Sequence, residues 1–419
     1  MPVVTNLSLG GGITVANTFS TPVNVSSTIS IPDDKDRMVY VTGTSSWVNR
    51  THGVAGTNWR SICWSPERAI FVAVGGNAVM TSPDGITWTA RTSASSVNWQ
   101  SICWSPERGL FVAVGNNAVM TSPDGITWTS RTAAANNQWY SICWSKERGL
   151  FVAVAWSGTG NRVMTSPDGI AWTSRASALD NDWLSVCWSP ERGLFVAVAS
   201  SGTGNRVMTS PDGIAWTSRA SANNTYSWYS VCWSAERGLF VAVGSFFDLT
   251  DPVSTVMTSL DGITWTQRAS SASVGLEYIC WSSEMGIFVA VAPDGNFVIT
   301  SSDGITWTQR NFGSSSTVNR RSICWSPQLG KFIIIVFENI VTTFDLFQFN
   351  AFPIQNGQKE GQTLILVGTD DYNAPEIKSI GNLDSLKNAN DKCIPISSQK
   401  VYSFEWDSVN LKWIRRSNG

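Results

Sequence analysis

Along most of the chain, apolar residues come in short runs bounded by Ser, Pro, Asp, Asn and Gly. Phe71-Val72-Ala73-Val74 is one run and Phe111-Val112-Ala113-Val114 another. No segment sustains the 3.6-residue period of an amphipathic helix, so the pattern predicts short strands joined by turns. The pattern then repeats. Ser61-Ile62-Cys63-Trp64-Ser65 recurs with small changes around Cys103, Cys143, Cys187, Cys232, Cys280 and Cys324, at steps of 40, 40, 44, 45, 48 and 44 residues. Each copy is followed by an apolar run, then by Val79-Met80-Thr81-Ser82-Pro83-Asp84-Gly85 or its equivalent, then by Ile86-Thr87-Trp88-Thr89 and Arg91. We label the four strand-like segments a (SICWS), b (FVAVG), c (VMTS) and d (TWTxR).

The a–b link Ser65-Pro66-Glu67-Arg68 and the c–d link Ser82-Pro83-Asp84-Gly85 are short. Proline at the second turn position, with a glycine to follow, suits a type I turn ending in a left-handed residue. Each unit therefore reads as an antiparallel four-stranded meander. Strand b is apolar on both faces, and such a sheet must be covered on both. A four-stranded unit with a period near 40 residues predicts a β-propeller, in which blades cover one another without helices.

The signatures are out of phase. Strand a occurs seven times. The W-x-x-R signature of strand d also occurs seven times, from Trp47/Arg50 to Trp307/Arg310, but its first copy precedes the first strand a. The last unit continues from Cys324 through Phe332-Ile333-Ile334-Ile335 to Ile340-Val341-Thr342-Thr343-Phe344-Asp345 and has no strand d. The expectation is an all-β, seven-bladed propeller closed by strand exchange between the chain ends, which leaves no exposed sheet edge. The domains are expected to be an arm at 1–36, the propeller at 37–345 and a β module at 346–419. Strands at Ile29-Ser30-Ile31 and Leu364-Ile365-Leu366-Val367 are expected to join arm and tail into one module beside the constant hairpins.

Composition narrows the chemistry. Charged residues are 14% of the 419, and the net charge is −2 with 29 basic and 31 acidic residues. No basic run exists to neutralise phosphates, so nucleic acid is not an expected partner. One histidine, His52, leaves little room for histidine-ligated metals or a histidine-based triad. No apolar stretch is long enough for a helical membrane span, so no membrane insertion is expected. The start of the chain lacks the charged n-region of a secretory signal. Seven of the eight cysteines occupy one repeated position and none forms a CxxC pair. They are expected to be reduced, buried thiols without metal, in a protein made in a reducing cytoplasm. No cofactor is implied.

The c–d hairpins, as in Ser82-Pro83-Asp84-Gly85-Ile86-Thr87-Trp88 and Ser301-Ser302-Asp303-Gly304-Ile305-Thr306-Trp307, resemble the Asp-box or BNR repeat, S-x-D-x-G-x-T-W, without the residue between Asp and Gly. That resemblance implies a propeller in which Asp84, Asp124, Asp168, Asp212, Asp261 and Asp303 cap turns and the tryptophans pack between blades. The whole unit also resembles repeats in viral and phage-associated proteins. The last 70 or so residues, through Gly361-Gln362-Thr363-Leu364, Gly368-Thr369-Asp370, Gly381-Asn382, Tyr402-Ser403-Phe404-Glu405-Trp406-Asp407 and Trp413, resemble a β module at the ends of phage and virus fibres. This implies a virion-surface or tail location, with the terminal module meeting other virion or tail proteins and a homo-oligomer as one arrangement.

A fold of this kind does not fix function. The W-x-x-R arginines are expected to stack on tryptophan or to pair with a–b glutamates such as Glu67. Their equivalence from blade to blade speaks for architecture rather than for the arginine cluster of a sialidase. A second tryptophan series precedes five of the cysteines: Trp59, Trp99, Trp139, Trp183 and Trp228. It reads as a packing ring or as an aromatic platform for sugars. The b–c and d–a loops vary among otherwise copied repeats, and they place Trp156, Phe246, Phe247 and Asp248 on one face. Loops displayed on a rigid scaffold carry function. The non-enzymatic reading is attachment of a virion or phage tail to a host-surface glycan or protein through that face. The alternatives are a structural virion protein, a sialidase-like hydrolase relying on Asp248 and Asp251, and a cellular assembly propeller.

Overall fold

The computed structural model describes residues 37–41, 47–51, 58–246, 253–270, 275–292, 297–311, 320–336 and 340–344, together with 363–367, 376–377, 394–395, 401–407 and 412–415. The chain forms two compact units. One is Trp47–Phe344; the other combines Met1–Ser46 with Asp345–Gly419.

The unit Trp47–Phe344 is an all-β propeller. In its first blade, strand a is Trp59–Ser65, b is Ile70–Gly75, c is Ala78–Ser82 and d is Thr89–Arg91, paired antiparallel in that order. Five further blades repeat the meander, with strands a at Trp99–Ser105, Trp139–Ser145, Trp183–Ser189, Ser227–Ser234 and Tyr278–Ser282. Six blades, not seven, are thus built from one contiguous segment each. A further four-stranded sheet draws Arg320–Ser326, Lys331–Val336 and Ile340–Phe344 from late in the chain and Trp47–Thr51 from early in it. Trp47 lies opposite Phe344 and Thr51 opposite Ile340. Its strand Arg320–Ser326 packs against Tyr278–Ser282 on one side and Trp59–Ser65 on the other, so the inner a strands meet around the axis.

The core lies between blades. Phe71, Val72, Ala73 and Val74 are fully buried, as are their counterparts. Phe71, Met80, Trp59 and Trp64 pack with Ile333 and Ile335 of the composite sheet. From the opposite face of the same blade, Val72, Val74 and Val79 pack with Trp99, Trp104 and Phe111 of the next. Each blade completes the core of its neighbour. Each fully buried Phe or Val contributes about 1.5–3 kcal/mol, so the interfaces rather than the separate sheets carry the stability.

A belt of hydrogen bonds follows the same contacts. The indole N–H of Trp104 donates to Glu67 Oε2 at 2.7 Å, and Trp144, Trp188, Trp233, Trp281 and Trp325 donate to Glu107, Glu147, Glu191, Glu236 and Glu284. Trp64 completes the belt on Gln328 Oε1 at 2.6 Å. The a–b glutamates therefore serve the next blade's tryptophan and not the W-x-x-R arginines. Those arginines turn inward on their own blade, where Arg91 Nε donates to Thr81 Oγ1 at 2.9 Å and Arg131, Arg175, Arg219, Arg268 and Arg310 do likewise. Stacking falls instead to the a–b turn arginines, with Arg108, Arg148 and Arg192 each 5.8 Å from the ring centres of Trp144, Trp188 and Trp233. Strand d is a three-residue to four-residue edge, too short to carry its arginine across to a neighbouring blade.

The c–d turn is built around Asp84. Its Oδ1 accepts the amide N–H groups of Ile86 at 2.7 Å and Thr87 at 2.8 Å and the hydroxyl of Ser82 at 3.0 Å. Ser82 Oγ in turn accepts the Gly85 N–H. Gly85 has φ +72, and a Cβ there would meet Ile333 Cδ1 at 2.5 Å, so both conformation and interblade contact demand glycine. The a–b turns also end in left-handed residues. These are Gly109, Gly149, Gly193, Gly238, Gly286 and Gly330, with Ala69 at φ 50 as the exception.

In the second unit, Arg37–Val41 runs parallel to Thr363–Val367, which pairs antiparallel with Val401–Asp407, itself antiparallel to Lys412–Arg415. The strand Arg37–Val41 lies within the stretch the sequence assigned to the propeller. Its parallel pairing places it with the terminal segments instead, and the propeller boundary moves to 47. Ile29-Ser30-Ile31 lies outside the described residues.

Two expectations follow. Ala69→Gly relieves a left-handed alanine and is expected to raise stability by up to about 1 kcal/mol, read as an increased denaturant midpoint with an unchanged slope. The six turn aspartates have carboxyl pKa values below the usual range. Burial acts upward and is the largest single influence, but the amide and serine hydrogen bonds together outweigh it. Their contribution is present above the unfolded carboxylate pKa of about 3.9 and is lost as pH falls through the lower folded values. Thermal midpoints measured on descending from pH 5 are expected to fall, and Asp124→Asn is expected to reduce that slope.

Candidate functional site: the axial cup

The inner strands bring one position of every repeat to the propeller axis. Each strand a of the first five blades has a bulge near its start, between Trp59 and Ser61 in the first. The bulge adds one residue and re-aims the one within it. That residue stands three places before the cysteine: Arg60, Gln100, Tyr140, Leu184 and Tyr229, with Glu277 and Arg321 at the matching places later in the chain. Six of them, from Arg60 to Glu277, line one cavity of about 130 Å³, and Ser322 lines it where Arg321 does not.

Below this varied rim lies a constant tier. Ser61 Oγ accepts the Ile102 N–H of the next blade at 3.2 Å, and Ser101, Ser141, Ser185 and Ser230 do the same for Ile142, Val186, Val231 and Ile279. These serines also line the cavity, and Tyr278 stands at the equivalent place in the sixth blade. Arg321 and Glu277 form an ion pair at 3.7 Å with both side chains largely buried. Tyr140 and Tyr278 have raised phenol pKa values. Burial is the main cause for both, and both also sense Arg60, Glu277 and Arg321, which marks these groups as mutual neighbours. Burial likewise raises Tyr229.

The cup opens toward the variable loops. Trp156, in the b–c loop of the third blade, is 46% exposed and meets Tyr140 edge-on at 6.4 Å. The b–c loops of the third and fourth blades are firmly folded. Asn137 Nδ2 donates to Asn161 O, and Asn181 Nδ2 to Asn205 O; Arg162 Nη1 reaches Asp182 at 2.9 Å.

The expected site residues divide sharply. Trp59, Trp99, Trp139, Trp183 and Trp228 are fully buried, and Leu276 occupies the same place in the sixth blade. They offer no face to a ligand, so the sugar-platform reading fails and the packing reading stands. The reason is the bulge, which turns the following residue to the axis and the tryptophan into the interblade core. Trp156 is exposed, as a binding residue must be. Phe246 ends strand b of the fifth blade, Leu239–Phe246. Phe247, Asp248 and Asp251 lie outside the described residues. The seven cysteines are free, but half-buried rather than buried. They sit on the innermost strand, where only one flank meets the next blade, as Cys63 meets the second blade's core. Among the described residues, no cluster of His, Cys, Asp or Glu is arranged to hold a metal, and no helix is long and apolar enough to cross a membrane.

The cup residues escaped the sequence reading, although their signal was present. Through the first five blades, the position between the buried Trp and the constant Ser changes from Arg to Gln, Tyr and Leu while its neighbours hold.

No protein-family model matches the chain, and no curated protein matches it in sequence. Solved structures do. Virginiamycin B lyase from Staphylococcus aureus has a TM-score of 0.61 at 9% identity, covering 72% of this chain and 99% of the lyase. A streptogramin B lyase has a TM-score of 0.60 at 7% identity, covering 71% and 97%. YCF48 bound to D1 peptide has a TM-score of 0.55 at 16% identity, covering 71% and 96%. At these identities the likeness shows the propeller fold alone.

Burial raises the pKa of each repeat cysteine, with Cys280 pushed up to about 12. Little thiolate is therefore present near neutrality. Thiol titration of folded protein at pH 8 is expected to label these seven slowly, and to label them fast once denaturant is added. Rapid labelling of most of them in the native state would contradict the packing assigned here.

Proposed function

We propose that the chain is a non-enzymatic binding protein of a virion or phage tail, whose propeller takes a host-surface glycan or protein at the axial cup. One observation carries the reading. Through the first five blades, a residue that changes from copy to copy lies where the inner strands converge, beside a tryptophan and a serine that stay constant. Architecture alone asks for equivalence at that place; a single asymmetric ligand asks for different groups around it. Tyr140, Tyr229 and exposed Trp156 supply aromatic surface, and Arg60, Gln100 and the Glu277–Arg321 pair supply polar contacts.

In the same reading the composite sheet is the seventh blade and the c–d hairpins are Asp-boxes. Resemblance of the repeat and of the tail to viral and fibre sequences supports the virion setting, in which the terminal unit meets other virion or tail proteins.

A second reading draws on the same cup. Two of the similar structures are lyases, and Glu277 stands among tyrosines and arginines that offer acid and base groups. Binding of folded protein to host cells and to a glycan array separates the two. Tyr140→Ala and Tyr229→Ala are each expected to weaken attachment about tenfold or more while leaving the thermal midpoint near that of the parent. Turnover of a bound ligand, or of a streptogramin B, that disappears in Glu277→Gln would replace the binding reading with the enzymatic one. Attachment unchanged by both tyrosine variants would remove the cup from the proposal.

A further inference from the structure

The cup has a donor surplus. Arg321 is neutralised by Glu277, but Arg60, on the same rim, has no ion-pair or hydrogen-bond partner among the described residues. The constant tier beneath adds to this. Ser61, Ser101, Ser141, Ser185 and Ser230 each spend a lone pair on a backbone N–H of the next blade. None of the five hydroxyls donates to a protein acceptor among the described residues. A serine hydroxyl has one proton to give and two lone pairs to receive with, so five O–H protons remain available toward a shared space. The phenols on the wall add further donors.

A half-buried guanidinium without a counter-charge is costly, and a ring of unspent donors has no acceptor to meet except solvent or ligand. With Glu277 paired to Arg321, the charge left on the described rim is the positive charge of Arg60. Resting on the reading of the cup as the binding site, we infer that it takes the negatively charged terminal sugar of an acidic glycan. Arg60 meets the carboxylate or sulfate, the serine tier donates to its oxygens, and Tyr140 and Tyr229 face the ring. A cavity of about 130 Å³ suits a terminal group rather than a length of chain. The aromatic walls give the apolar face of a sugar a surface that an acidic side chain alone would leave unused.

The test uses the full chain and isothermal calorimetry at two salt concentrations. The probes are an oligogalacturonate, a sulfated neutral oligosaccharide, an uncharged oligosaccharide of the same length and an acidic peptide. One or both charged sugars are expected to bind, more weakly at the higher salt, and the arm that binds tells carboxylate from sulfate. The uncharged sugar is expected to bind at least about tenfold more weakly. Arg60→Gln is expected to lower affinity for the charged sugar about tenfold or more and to flatten the salt dependence, without lowering the thermal midpoint. Arg60→Lys is expected to restore part of the affinity. Equal binding of the uncharged sugar, or an unaffected Arg60→Gln, overturns the anion assignment; the cup reading survives if Tyr140→Ala still weakens binding and falls if it does not. Binding of the peptide with the sugars silent overturns the sugar class. No binding of any probe overturns the inference.

Discussion

The structure depends on a sheet that cannot exist alone. Strand b is apolar on both faces, and Phe71 to Val74 are fully buried although a single blade covers neither side. Burial is achieved only when a second blade meets each face. From this constraint follow the ring, the composite sheet and the belt of indole–carboxylate bonds at the blade margins. An open row of blades would leave one apolar face at each end. Trp47–Thr51 and Ile340–Phe344 pair across most of the chain's length to complete the sheet that covers those ends.

Closing a ring of this kind also creates a place that no single repeat contains. The inner strands converge on the axis, where the cores they build cannot follow. Side chains pointing there have no neighbouring sheet to pack on, so packing does not dictate their identity. This frees the bulge residue to become Arg60, Gln100, Tyr140 or Leu184 without cost to the blade. The serine below it is kept through the first five blades, where its oxygen satisfies an amide of the next blade, and only the sixth has Tyr278 there. Constancy and variation one residue apart thus have one physical origin: one side chain serves an interface and the other faces a void. The cysteines show the intermediate case, packed on one flank and half-buried on the whole.

Much of the fold was legible before any coordinates. The meander, its turns and the phase shift between strand signatures all rest on local rules of period, turn chemistry and closure. Asp84 as the centre of its turn was legible for the same reason, since its partners lie within three residues. The partners of Glu67 and Arg91 were not. The expectation stacked the arginine on tryptophan or paired it with the glutamate, and the structure gives Glu67 to an indole 37 residues away and Arg91 to a threonine on its own sheet. Partner choice between blades depends on how far each short strand reaches.

The candidate site marks the same division more sharply. Sequence by itself determined that the chain is a repeat of antiparallel meanders whose faces must be covered, because periodicity and turn signals act over a few residues. It also carried the variable position before the constant serine. Only the tertiary structure decided that the tryptophan beside that position turns into the core and that its neighbour turns to the axis. A one-residue bulge exchanges which side chain faces which way. Only ring closure brings residues from Arg60 to Ser322 around one cavity, since their proximity comes from the summed geometry of all the blades and from no contact within any one of them.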